Sequence, residues 1–212
     1  MDEPSPAGPA LGKHGLATLE RARLEGRPVR LRRSIPGADR LEGFVLGTGP
    51  VWTLLANCVD HRPDGWTAVR TTDLHRVRDR GGEESLTVRA LRRRGLWPLR
   101  PPGARLPLDD LPGLLTAACA EYGLIALHTE HRDPAVCRVG TVTALRPASL
   151  RLHEVDPEAR WHAEPTKFRF KDVTRVDLGD HYTSVLREFA GPRPRHPTGT
   201  QEAGSPSGEP AS

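Results

Sequence analysis

Three short stretches of this 212-residue chain hold residue types able to do chemistry. His128, Glu130 and His131, in "HTEH", are metal-ligand types. On a helix, residues three apart share a face, but on a strand they point to opposite faces. The surrounding "LIALHTE" alternates as a half-buried strand does, so only His128 and Glu130 align, and two ligands make a poor metal site. Cys58 and His61, in "CVDH", are the types of a thiol and its base. The apolar run before Cys58 instead reads as a core strand ending there, with Asp60 and His61 opening a turn. "GTGP" lacks the Lys and Ser/Thr that follow a phosphate loop. With no GxSxG, HExxH or paired-carboxylate pattern, the reading is a non-enzymatic protein with no catalytic residues, no metal and no cofactor.

A fourth feature is charge. Residues 11–82 hold 13 Lys/Arg against 8 Asp/Glu, residues 83–107 hold 6 against 2, and residues 108–191 hold 10 against 13. The densest point is "RALRRRG", where a short helix over Glu83 to Arg94 would set Arg89, Arg92 and Arg93 on one side, with Arg94 at its end. Such a cluster can follow a phosphate backbone. It can equally face solvent or dock on the acidic second half, and Trp97 is the one aromatic beside it. The pentapeptides "DLHRV" (73–77) and "DVTRV" (172–176) are expected to make polar corners. There Asp73 and Asp172 would receive backbone N–H bonds, Val77 and Val176 would point inward, and Arg76 and Arg175 outward. In the functional alternative the two arginines line equivalent mouths of two similar units.

Those pentapeptides belong to a longer internal match. Gly26, Gly43 and Val45 fall on Gly123, Gly140 and Val142, and Leu54, Val59 and Asp60 on Leu150, Val155 and Asp156, with the offset drifting only slightly. So many identities in one order argue for a duplication. Each unit opens on a helical stretch ending at glycine, "LATLERARLEG" and "LPGLLTAACAEYG". Five short strands follow, from "PVRLRR" and "LIALHTE" through "LEGFVLG" and "CRVGTVTAL" to the paired strands around each polar corner. Roughly 60 residues make too small a flat sheet to enclose a core, so each unit is expected to bend into a small barrel, turning at Gly43 and Gly140.

The segment 83–107 reads as a helix and a Pro-rich linker, and "HYTSVLREFAG" as a closing helix with an apolar stripe of Tyr182, Val185, Leu186 and Phe189. Residues 1–10 and 192–212 are expected to be disordered. No apolar run approaches the roughly 18 residues that span a bilayer. The three cysteines form no CxxC pair, which suits reduced thiols in a cytoplasm.

Helix, five strands, a glycine inside the second strand and a polar corner before the fifth together resemble the Sm-like fold of the Hfq and Sm families, over roughly 11–80 and 108–178. The whole chain, with "IPGADRLEGFV", "DPAVCRVG" and "DVTRVDLG", also looks like an actinobacterial family that carries no function to borrow. The Sm resemblance implies two tandem five-stranded barrels, over 11–82 and 108–191, mainly β with flanking helices. It does not carry over base binding. Where Sm proteins place an Asp and then an Asn, this chain has Gly49 and Thr53, then Arg146 and Leu150. The function expected is therefore a binding or adaptor protein that engages a protein partner, or itself, through barrel edge strands. The alternative is RNA or DNA binding through the basic first barrel and the Arg89–Arg94 helix, with Arg76 contributing.

Overall fold

The computed structural model describes residues 10–82, 85–100, 103 and 105–194. Helix α1 (Lys13–Glu25) precedes strands β1 (Pro28–Arg33), β2 (Leu41–Thr48), β3 (Trp52–Val59), β4 (Arg62–Arg70) and β5 (Leu74–Asp79), and helix α2 (Leu86–Arg93) follows them. The second half runs α3 (Leu111–Tyr122), β6 (Ile125–His128), β7 (Cys137–Arg146), β8 (Ser149–Glu154), β9 (Thr166–Arg169), β10 (Arg175–Leu178) and α4 (His181–Ala190). Each polar corner is a 3-10 turn, at Thr71–Asp73 and Phe170–Asp172. The N-terminal residues 1–9, the tail from 195 and Glu83, expected to open the second helix, lie outside the described residues. That helix starts at Leu86, where the Val88 N–H is capped by Ser85 Oγ at 3.3 Å.

The two closed barrels expected from the sequence do not form. All ten strands join in one open antiparallel sheet, in the order β5-β1-β2-β3-β4-β10-β6-β7-β8-β9. The reason lies in β4. Its free edge takes β10 of the other half, in a register running from Val69 opposite Arg175 to Trp66 opposite Leu178. Thr67, Ala68 and Val69 are buried in succession, as in a strand covered on both faces rather than one. The outer wall of a small closed barrel would have alternated.

Those successive residues also assign the helices to faces. Val69 packs with Leu19 and Ala22 of α1 and with Val29 and Leu31. Ala68 packs with Leu114, Leu115 and Ala118 of α3 and with Leu127 and Val176. Neighbouring strand residues point to opposite sides, so α1 lies on one face, here the front, and α3 on the back. Leu186 of α4 packs on the front with Ala126 and Val139. On the back, Val88 and Leu91 of α2 pack against Phe44 and Ala56. Of the stripe expected on α4 only Leu186 is deeply buried, and Phe189 is 75% exposed.

The paired glycines permit close strand approach. A Cβ at Gly43 would run into the Ala56 carbonyl oxygen, and one at Gly140 into that of His153. A register shift follows each, between Val45 and Gly47 and between Val142 and Ala144, where β-bulges bend the strands. No described helix is long and apolar enough to cross a membrane.

Candidate functional site

Polar groups stitch the two halves along the front of the β4–β10 seam. The Arg33 guanidinium donates to the Glu130 carboxylate, Nη2 to Oε1 at 2.6 Å, with side chains 0% and 1% exposed. Thr174 Oγ1 donates to the same carboxylate at 2.6 Å. Burial works to raise the Glu130 pKa, but the Arg33 and Thr174 hydrogen bonds and the Arg33 charge hold it below its ordinary value. The pair is sealed from solvent, so its work is structural.

Beside it a cleft of about 790 Å³ opens between the halves. Its floor is a hydrogen-bonded chain that crosses the seam: Asn57 Nδ2 donates to Thr67 Oγ1 at 2.8 Å, Thr67 Oγ1 to Asp177 Oδ1, and His128 Nε2 to Asp177 Oδ2 at 2.8 Å. Arg175 also donates to Asp177, Nε to Oδ1 at 2.8 Å. Burial would raise the Asp177 pKa; the His128 hydrogen bond and the Arg175 charge outweigh it and bring it to about 2. The walls carry Asp39, Asp64, Asp180, Arg40, Cys137 and Tyr182. Cys137 stands opposite His128 in the β6–β7 ladder, which suggests a nucleophile. Burial and then the Asp177 carboxylate push its thiol up, the reverse of how a nucleophilic cysteine is prepared.

The back of the first half has the opposite character. Leu31 and Val77 face α1 on the front, so the residues flanking them point to the back. These are arginines facing arginines: Arg30 opposite Arg78 and Arg32 opposite Arg76. Arg30 is answered by Glu42, whereas Arg32, Arg76 and Arg78 have no carboxylate partner among the described residues. Burial, then the charges of Arg32 and Arg76, push His75 below its ordinary pKa. On the same face, Arg89, Arg92, Arg93 and Arg94 are all exposed on and just after α2. Arg94 Nη1 donates to the His61 carbonyl at 2.6 Å, and the Arg92 guanidinium carbon lies 5.9 Å from the Trp97 ring centroid.

The structure thus sets Arg76 on the back face, as it does the α2 arginines, though on the free edge strand rather than beside the helix. Arg175, expected to point outward from an equivalent mouth, instead binds Asp177 on an inner strand. Nor does the Asp73 carboxylate serve as the expected anchor: its Oδ2 is buried without a hydrogen-bond partner, and burial raises its pKa. Asp172 accepts from Arg169 Nε at 3.1 Å. His128 and Glu130 are spent on separate polar clusters, and no group of three or more His, Cys, Asp or Glu among the described residues could hold a metal. In "CVDH", burial and then Asp64 push the Cys58 thiol up to about 11, while His61 Nδ1 lies 2.8 Å from Thr87 Oγ1. Sequence reasoning missed Arg30, Arg32 and Arg78; the alternation of "PVRLRR" was the available signal for the first two and that of "LHRVRD" for Arg78. No family model, curated protein or solved structure matches the chain.

Proposed function

We propose that this is a non-enzymatic binding protein whose cationic back face, made by β1, β5 and α2, follows a nucleic-acid backbone. The observation that carries the reading is the Arg32–Arg76 facing pair with Arg78 beside it, none of the three having a carboxylate partner among the described residues. Like charges directly opposite on neighbouring strands are destabilising, by up to about 1 kcal/mol a pair. A polyanion along the ladder would remove that penalty and release its own counterions. The chain is read as a cytoplasmic tandem repeat in which β4–β10 pairing joins the two units. Self-association through the outer edges is disfavoured by cations on both, Arg76 and Arg78 on β5 and Lys167 and Arg169 on β9, which blunt edge-to-edge pairing.

The front cleft supports a second reading, an adaptor that holds a segment of a protein partner. Asp39, Asp64, Asp177 and Asp180 outnumber Arg40 and Arg175 in its lining, which favours a segment bearing a cation. Affinity purification from the native cell, with and without nuclease, separates the two. The first reading expects nucleic acid to be retained by the native chain and lost in Arg32/Arg76/Arg78→Glu. It is wrong if no nucleic acid is retained even at low salt. The second expects a protein that survives nuclease and is lost in Asp39→Arg/Tyr182→Ala.

A further inference from the structure

A cavity lined mainly by apolar residue types opens on the back face over β3 and β4, where the residues after α2 cross the sheet. It has a volume of about 480 Å³ and is lined by Trp66, Trp97, Pro63, Leu99 and Arg100, with no carboxylate in its lining. Both indoles are held in place. Trp66 lies against Tyr122 with ring centroids 5.5 Å apart, and Gly179 is so close that a Cβ there would meet both rings at 2.7 Å. Trp97 meets Phe44 edge to face, with centroids 5.4 Å apart. Arg100 in the lining and Arg92, Arg93 and Arg94 just before it in the chain are exposed.

We propose that this slot takes an unpaired base of single-stranded nucleic acid, stacked on Trp66 and Trp97, while the flanking phosphates run over Arg93 and Arg100. The inference rests on the nucleic-acid reading above and adds the site and the strand type. The argument is complementarity of shape and charge together. A planar π-face suits fixed indoles whatever the base, and an anion tethered to it suits Arg100 in the lining and the exposed Arg93 nearby in the chain. An apolar proline-rich segment would fill the slot and leave the charges of Arg93 and Arg100 without an anion. A duplex keeps its bases inside the stack and has none to offer without unpairing.

The test uses the full chain at low salt, with a thymidylate dodecamer, an abasic strand of equal length and a duplex. The thymidylate strand is expected to bind about tenfold or more tightly than the abasic one, and to quench tryptophan fluorescence. Trp97→Phe should keep the preference and Trp97→Leu should lose it. If Trp97→Leu fails to fold, the comparison of strands on the native chain decides alone. Equal binding of thymidylate and abasic strands, both lost in Arg32/Arg76/Arg78→Glu, overturns the slot and leaves the cationic face standing. No binding of any strand overturns both. Thymidine monophosphate binding as tightly as the strand overturns the single-strand assignment. Quenching by a proline-rich peptide and not by thymidylate shows a peptide groove instead.

Discussion

Two regions of one sheet present different surfaces. On the front, at the β4–β10 seam, charged groups answer one another: Asp177 is held by Thr67, His128 and Arg175 in one hydrogen-bonded chain. On the back, near the free edge, Arg32 faces Arg76 with no carboxylate partner among the described residues. A satisfied network rigidifies the joint that contains it. An unanswered row of like charge weakens the ladder that carries it, a cost that the polyanion of the proposed function would remove. The front of the seam is therefore where the protein holds itself together, and the back of the first half is where it has most to gain from an anion.

The largest expected effect tests the back. Replacing Arg32, Arg76 and Arg78 together by Glu should weaken nucleic-acid binding by at least about a hundredfold at moderate salt, with the far-ultraviolet circular dichroism unchanged. Unaltered affinity would remove the distinction between the faces.

The next tests the front. Asp177→Ala leaves Arg175 and His128 without their shared acceptor and should cost about 2 kcal/mol of stability, read as a lowered Tm, while nucleic-acid affinity stays as it was. The same carboxylate gives a pH signature. Its pKa is near 2 in the folded chain against an ordinary 3.8, so the stability it contributes is complete above about pH 4 and is lost as pH falls towards 2. A plot of Tm against pH should be flatter across that window in Asp177→Asn than in the native chain.

The smallest effect sharpens the contrast most. Arg76→Glu alone converts a facing like-charge pair into an opposite-charge one and should raise stability by about 0.2–1 kcal/mol, even as it lowers nucleic-acid affinity. A substitution that stabilises the fold while impairing binding marks a residue kept for its partner. Urea denaturation of this variant beside the native chain measures the change; a loss of stability would mean that Arg76 serves the fold.

Much of the local structure could be read from the sequence because its causes are local. Gly26 has φ 61° and its N–H reaches the Ala22 and Arg23 carbonyls, ending α1, as a glycine after a helical stretch predicts. Gly43 and Gly140 likewise mark close approaches of neighbouring strands. What could not be read depends on pairing across distance. The edge of β4 looks the same whether it meets its own β5 or β10 of the other half. Only the unbroken burial of Thr67, Ala68 and Val69 tells the two apart. The cationic face was half legible: Arg89 to Arg94 stand together in the chain, whereas Arg32 and Arg76 meet only through the β1–β5 register. Trp66 and Trp97 share a cavity only because α2 folds back across the sheet.

The most direct test is the salt dependence of single-stranded oligonucleotide binding by the full chain. If the three arginines and those of α2 contact phosphates, the logarithm of the binding constant should fall with the logarithm of salt concentration at a slope steeper than about −2. Arg32/Arg76/Arg78→Glu should flatten it. A slope near zero, or one that the triple substitution leaves unchanged, would contradict the assignment of the back face.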